Sequence, residues 1–200
     1  MIEVIDDFIP KYYQKSIKQM VLNDTMPFLI TDITSRDTDT FHTKKQFVHS
    51  LYVGPLKNRQ DRNGNMVEGI SEEYRSSYWN RFMQMFNNIP EFKTHNLLRS
   101  KINITLPYKT RYNIEPHTDS IQSDAISYLY YVSDSDGPTV VWDRRGKEND
   151  IVDPPWWWKK TKINPKQGRI VRFPSDHLHS GNMPHKYSER IVLNFVFSPR

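Results

Sequence analysis

The chain has 200 residues, 36% hydrophobic and 13% aromatic, with a formal net charge of +5 and no cysteine. That length and apolar content suit one domain whose core leans on Phe, Tyr and Trp, and they exclude a chain disordered throughout. The absence of cysteine excludes disulfides, thiolate metal sites and a cysteine nucleophile, and it fits a reducing, cytoplasmic setting.

In chain order, the opening MIEVIDDFIPKYY carries two aspartates and no long apolar run, so it does not read as a signal peptide. No segment has the length of a membrane span, and a soluble protein with no membrane partner is expected. Lys11 to Leu22 sets Tyr13, Ile17, Met20 and Val21 at helical spacing behind Pro10. Phe41 to Gly69 reads as a loop-rich excursion with a turn at Asn63-Gly64-Asn65. Ser71 to Asn87 is predicted as the longer helix. Ser71 can cap it, Glu72 and Glu73 suit its positive end, and Tyr74, Tyr78, Phe82, Met85 and Phe86 form one face.

After Pro90 the pattern turns to short strands: Ser100–Leu106, Ala125–Val132, Thr139–Trp142, Arg169–Phe173 and Arg190–Phe197. Helices followed by strands predict an α+β domain, with helices packed on a jelly-roll-like double sheet. Trp156, Trp157 and Trp158 fall in a charged insertion, Asp143 to Lys162, between two strands. They read either as a plug clamping a helix to the outer sheet or as a lid near a site mouth. The basic pairs Lys44-Lys45, Arg144-Arg145 and Lys159-Lys160 come with no nucleic-acid motif and read as solvated loop charge.

Four pieces carry chemistry. In Glu115-Pro116-His117-Thr118-Asp119-Ser120, an extended backbone aims His117 and Asp119 the same way. Phe173 to Gly181 offers a second histidine, His177 or His179. Two histidines and one carboxylate on one face of a metal leave three positions open, which suits non-haem Fe(II) that binds a bidentate cosubstrate together with O₂. Arg190 opens the next strand, and its planar fork can grip a carboxylate. Tyr131 shares a strand face with Ser127 and Leu129 and can add a hydroxyl donor to the same carboxylate. Fe(II), one aspartate, Arg190 and dianionic 2-oxoglutarate together balance to neutrality, as a buried site prefers.

These pieces in this order (EPHTD, AISYLYYVSDSDGPTVVW, INPKQGRIVRF, HSGNMP and ERIVLNFVF) resemble the catalytic double-stranded β-helix of the 2-oxoglutarate and Fe(II)-dependent oxygenases, in their prolyl-4-hydroxylase-like branch. IEVIDDFIPKYY is similar to the lead-in of small, phage-type members. The resemblance implies a single domain over 1–200, with 1–98 a helical support and loop region and 99–200 the catalytic core. It implies Fe(II), 2-oxoglutarate, O₂ and optionally ascorbate as cofactors, and hydroxylation with release of succinate and CO₂. It favours His179 over His177 as the distal ligand, because glycine and proline follow closely in His179-Ser180-Gly181-Asn182-Met183-Pro184. It matches Tyr131 and Arg190 to cosubstrate positions and Asn194 to a polar position further along the strand. The tyrosine expected before the H-x-D falls near Tyr108, with Leu106 a competitor for that position. Gly137-Pro138 departs from the family's Gly-Gly.

Two other classes compete: a cupin-type metal enzyme, which would not need Arg190 or Tyr131, and a metal-free binding module, against which the intact His117, Asp119, His179 and Arg190 set speaks. Asp119 argues against a halogenase. Val196, standing where nucleic-acid demethylases carry a second arginine, argues against that reading. A peptide prolyl residue or a small molecule is the expected substrate class.

Overall fold

The computed structural model describes residues 1–23, 25–32, 45–55, 59–60, 66–67, 71–108, 114–120, 122, 124–146 and 154–200. The elements run β1 (Glu3–Ile5), α1 (Lys11–Leu22), β2 (Leu29–Asp32), β3 (Lys45–Val53), β4 (Arg59–Gln60), β5 (Met66–Val67), β6 (Tyr74–Arg75), a 3-10 turn (Trp79–Phe82), α2 (Met83–Phe86) and α3 (Glu91–Thr94). They continue with β7 (His95–Thr105), β8 (Ile126–Tyr131), β9 (Thr139–Arg145), β10 (Lys160–Ile163), β11 (Ile170–Pro174), β12 (His177–Gly181) and β13 (Arg190–Pro199).

A major sheet has the order β1-β11-β8-β13-β7-β3-β2, with β6 on β3, and a minor sheet has the order β10-β9-β12. Neighbouring strands pair antiparallel in both. This is the predicted double-stranded β-helix, and strand alternation builds two cores on it. Leu129, Tyr131, Val171, Phe173 and Val192 face inward and meet Val141 and Ile163 of the minor sheet. Tyr128, Tyr130, Ile102, Leu193 and Phe195 face outward, under Tyr13, Ile17 and Val21 of α1 and Trp79, Phe82, Met85 and Phe86. The helices therefore do pack on the outer sheet.

Two expectations fail. Ser71 to Asn87 is not one helix, since Tyr74–Arg75 pairs with β3 as β6 and only Trp79–Phe86 is helical. The Ser76 N–H donates to Leu51 O at 2.9 Å, and its hydroxyl meets His49 Nε2 at 2.8 Å. Sheet pairing thus satisfies backbone groups that a helix would have used, and a weak local propensity yields to it. The second failure is in Phe41 to Gly69, where residues 45–53 form a nine-residue strand between β7 and β2. Its mixed polar composition hid it, because β3 alternates between the outer core (Leu51) and the inner cavity (Gln46). The turn at Asn63-Gly64-Asn65 lies outside the described residues. The N-terminal half thus supplies strands as well as helical support.

Candidate active site

His117 follows Pro116 in an extended segment that bridges to β12: His117 N–H donates to His179 O and His179 N–H to His117 O, each at 2.9 Å. This bridge sets the two imidazoles side by side, ring centres 4.5 Å apart. Two residues on, Asp119 N–H donates to Ser175 O at 3.0 Å, which holds its carboxylate on the same side. His117, Asp119 and His179 each offer one ligand atom within 4.8 Å of the others. The set of two nitrogens and one oxygen, with no sulfur, suits Fe(II) and related N/O-seeking dications.

Tautomers are prepared for this. His117 Nδ1 lies 3.1 Å from Glu115 O and His179 Nδ1 lies 3.1 Å from His177 O. A carbonyl only accepts, so both Nδ1 atoms donate and both Nε2 lone pairs remain for a metal. Burial, helped by the neighbouring His179, lowers the His117 pKa to about 4. Burial lowers that of His179 as well, against the pull of Asp119. Burial would raise the Asp119 carboxyl, but Arg99, His179 and His117 outweigh it and hold it well below the usual range. The site is therefore deprotonated and ready at neutral pH. Ser127 Oγ at 2.6 Å and Asn194 Nδ2 at 3.1 Å donate to Asp119 Oδ2 and fix the carboxylate's orientation, while Arg99 pairs with Oδ1.

His117 and His179 line a cavity of about 310 Å³ together with Arg190. Arg190 is 6% exposed, and among the described residues no carboxylate pairs with it. Its Nε donates to Gly137 O at 2.8 Å and its Nη2 to Thr139 Oγ1 at 2.7 Å. Gly181 leaves room at its flank: a Cβ there would stand 3.2 Å from the guanidinium carbon, a tight contact. A buried cation with no counter-ion, open to the metal-ligand cavity, is the feature that a dianionic cosubstrate would complete.

Tyr131 stands one layer back. It is fully buried, and its hydroxyl donates to Thr139 Oγ1 at 2.7 Å. Thr139, which sequence reasoning missed, lines the cavity in front of it. His177 stays outside, its Nδ1 3.2 Å from Trp142 O. Tyr108 (36% exposed) and Leu106 (43% exposed) follow β7 at the surface and do not line the cavity. Trp156 and Trp157 are 84% and 67% exposed and meet edge to face, and Trp158 lies under Arg144 at 4.1 Å. None of the three clamps a helix and none lines the cavity.

The predicted charge balance is incomplete. Arg99 and Lys101, on the inward face of β7 with Asn103 and Thr105, also line the cavity. The alternation of β7 was legible in the sequence. Which face meets the cavity was not, because Ile102 and Ile104 mark only the outer core.

Residues 104–198 match the family model for the 2OG-Fe(II) oxygenase superfamily. Comparison with curated proteins gives no significant sequence match. Among solved structures, the chain is similar to an oxidoreductase of the 2OG-Fe(II) oxygenase family from Burkholderia pseudomallei, with a TM-score of 0.60 at 14% identity over 98% of this chain and 84% of that one. It is similar to a Trichoplax adhaerens prolyl hydroxylase in complex with a hypoxia inducible factor peptide fragment, with a TM-score of 0.59 at 12% identity over 99% and 83%. It is also similar to HygX from Streptomyces hygroscopicus, with nickel and 2-oxoglutarate bound, with a TM-score of 0.57 at 9% identity over 99% and 82%.

Proposed function

We propose that the chain is a member of the 2OG-Fe(II) oxygenase superfamily, whose model matches residues 104–198 and whose members require Fe(II), 2-oxoglutarate and O₂, and that it is a hydroxylase that inserts one oxygen atom into a C–H bond of its substrate. The other oxygen atom enters succinate, and CO₂ leaves. The carrying observation is that His117, His179 and the buried Arg190, which pairs with no described carboxylate, line one cavity, with the Asp119 ligand atom within 4.8 Å of those of the two histidines. In this reading His117, Asp119 and His179 hold Fe(II), which when bound supplies the redox chemistry. Asp119 retains the carboxylate ligand that a hydroxylase keeps.

The remaining roles belong to the chain. Arg190 and Thr139 grip the distal carboxylate of 2-oxoglutarate at the closed end, and Tyr131 positions Thr139 by its hydrogen bond. Asn194 and Ser127 hold Asp119 in place. Val192 and Leu129 line the same cavity and limit water around the cosubstrate. The resemblance to prolyl hydroxylases supports a peptide prolyl or small-molecule substrate, with ascorbate as an optional reductant.

The test is succinate formation from 2-oxoglutarate by protein reconstituted with Fe(II), with Arg190→Ala alongside. We expect turnover in the wild type. In Arg190→Ala the 2-oxoglutarate affinity should fall by the equivalent of about 2–5 kcal/mol, because a buried carboxylate loses its charged partner. Mn(II) binding should persist, and Arg190→Lys should recover only part of the loss. A wild type that binds Mn(II) but neither binds nor turns over 2-oxoglutarate would favour the cupin-type reading. One that binds no metal would favour the binding module.

A further inference from the structure

The cavity carries more positive charge than metal and cosubstrate can use. A metal dication and the 2-oxoglutarate dianion cancel each other. The described lining residues include three cations, Arg99, Lys101 and Arg190, and no carboxylate; Asp119, which pairs with Arg99, offsets one of them, so two positive charges remain. Asp119 cannot neutralise Arg99, Lys101 and a metal ion together. Arg99 already pairs with Asp119 Oδ1. Lys101 is the cation left over. It sits mid-strand on β7, directly opposite Asn194 of β13 on one side and Ser50 of β3 on the other. Directly opposed residues have Cβ atoms about 4.5–5.5 Å apart. That places Lys101 beside Asn194, whose amide holds the metal-ligating carboxylate.

Lys101 is partly buried and points into the cavity, and no described carboxylate forms an ion pair with it. Burial and the nearby Arg99 both weigh against its charged form and outweigh the support of Asp119, which already pairs with Arg99, so the fold keeps a cation there at a cost. Two carbonyl oxygens beside it, Asn103 Oδ1 and Asn194 Oδ1, are buried with no hydrogen-bond partner. Native proteins rarely leave such groups unmatched. A cation with no ion pair among the described residues, next to acceptors without donors, describes the complement of a ligand: an anionic group flanked by N–H or O–H.

We propose that the primary substrate is anionic, and that Lys101 holds its carboxylate or phosphate while Asn103 and Asn194 accept hydrogen bonds from the substrate's own donors. Lys101 lies on β7, and Arg190 opens the neighbouring strand opposite Thr105, four residues along from Lys101. The anion subsite is thus distinct from the one that grips 2-oxoglutarate. The inference rests on the hydroxylase reading above, because only a cavity already holding metal and cosubstrate makes Lys101 surplus.

The test titrates wild type, Lys101→Met and Lys101→Arg, each loaded with Mn(II) and 2-oxoglutarate, by calorimetry. The probes are N-acetyl amino acids as free acids, the same compounds as primary amides, and N-acetyl-O-phosphoserine amide. In the wild type the best anionic probe should bind about ten-fold or more tighter than its neutral counterpart, as expected when an anion meets a desolvated cation. Whether the free acids or the phosphate lead identifies the anion. Lys101→Met should abolish the preference while 2-oxoglutarate affinity stays within about two-fold, and Lys101→Arg should retain it. Lys101→Gln serves as the neutral variant if the methionine form unfolds.

No anion preference in the wild type, or an undiminished preference in Lys101→Met, overturns the inference. So does a steep loss of 2-oxoglutarate affinity in Lys101→Met, which would make Lys101 a cosubstrate residue. A wild type that cannot be loaded with 2-oxoglutarate overturns the hydroxylase reading along with it, and is told apart by the loading step itself.

Discussion

At the scale of single residues, the histidines divide by what their neighbours demand of them. His179 bridges to His117 and faces the cavity, whereas His177, two residues earlier, points its Nδ1 at Trp142 O. His179→Ala is therefore expected to abolish tight Mn(II) binding, and His177→Ala to leave it within about three-fold, since only an outer contact is lost. The reverse order, measured by titration, would reassign the ligand. The pH dependence follows from the lowered imidazole values. His117 falls from an ordinary 6.5 to about 4, so its ring is neutral well below pH 6. Metal competes with protons for the same lone pair. Mn(II) affinity should thus stay nearly flat as pH falls from 8 to about 6, then drop as pH approaches the lowered value. A ligand histidine with an ordinary pKa would begin to lose affinity near 6.5.

At the scale of elements, β8 shows how one strand serves two purposes. Its outward residues Tyr128 and Tyr130 lie under α1 and the Trp79–Phe86 segment, and its inward residues Leu129 and Tyr131 face the minor sheet. Tyr130→Ala should cost about 3–5 kcal/mol of stability, as for other large aromatic truncations in a core. Tyr130→Phe should be close to neutral, because the Tyr130 hydroxyl is buried without a partner. Tyr131→Phe should spare the fold yet weaken 2-oxoglutarate binding by roughly 1 kcal/mol, since Thr139 loses the donor that positions it. Chemical denaturation beside cosubstrate titration separates the two faces, and equal effects in both assays would contradict the division. The segment between β9 and β10 behaves differently. Trp156 and Trp157 are exposed, so alanine at either should change stability by no more than about 0.5 kcal/mol. A large loss would mean that they pack in a core after all.

At the scale of the whole molecule, Glu91 of α3 ties the helical layer to the sheet. Its carboxylate accepts from Tyr128 Oη on β8 and pairs with Arg172 on β11 at 2.7 Å. Burial would raise its pKa, but the hydrogen bonds from Tyr128 and Arg172 prevail and lower it below the ordinary 4.5. A carboxyl depressed in the folded state stabilises fully above its unfolded pKa and loses that contribution as pH falls through the folded value. Glu91→Gln should therefore destabilise by about 1–3 kcal/mol near pH 7, the modest size reflecting an Arg172 side chain still 32% exposed. The gap from the wild type should close as pH falls below about 4.5. A gap that is constant with pH would show that the loss is one of shape and not of charge.

By itself the sequence determined whatever rests on local pattern. The 3.6-residue spacing of Tyr13, Ile17 and Val21 defined α1, because one buried stripe needs only one neighbour. Two-residue alternation defined β7 and the shared face of His117 and Asp119, and short aromatic and aliphatic runs defined β8, β11 and β13. Order along the chain then brought His179 and Arg190 to the same end. Tertiary structure decided whatever depends on a partner distant in sequence. It drew Tyr74–Arg75 out of a predicted helix and into a sheet edge, because β3 offered backbone partners there. It made a central strand of residues 45–53, whose polar side faces a cavity and not solvent. It also turned Arg99, Lys101 and Asn103 inward, where they line the cavity, because burial is a property of the assembled sheets and not of any one strand.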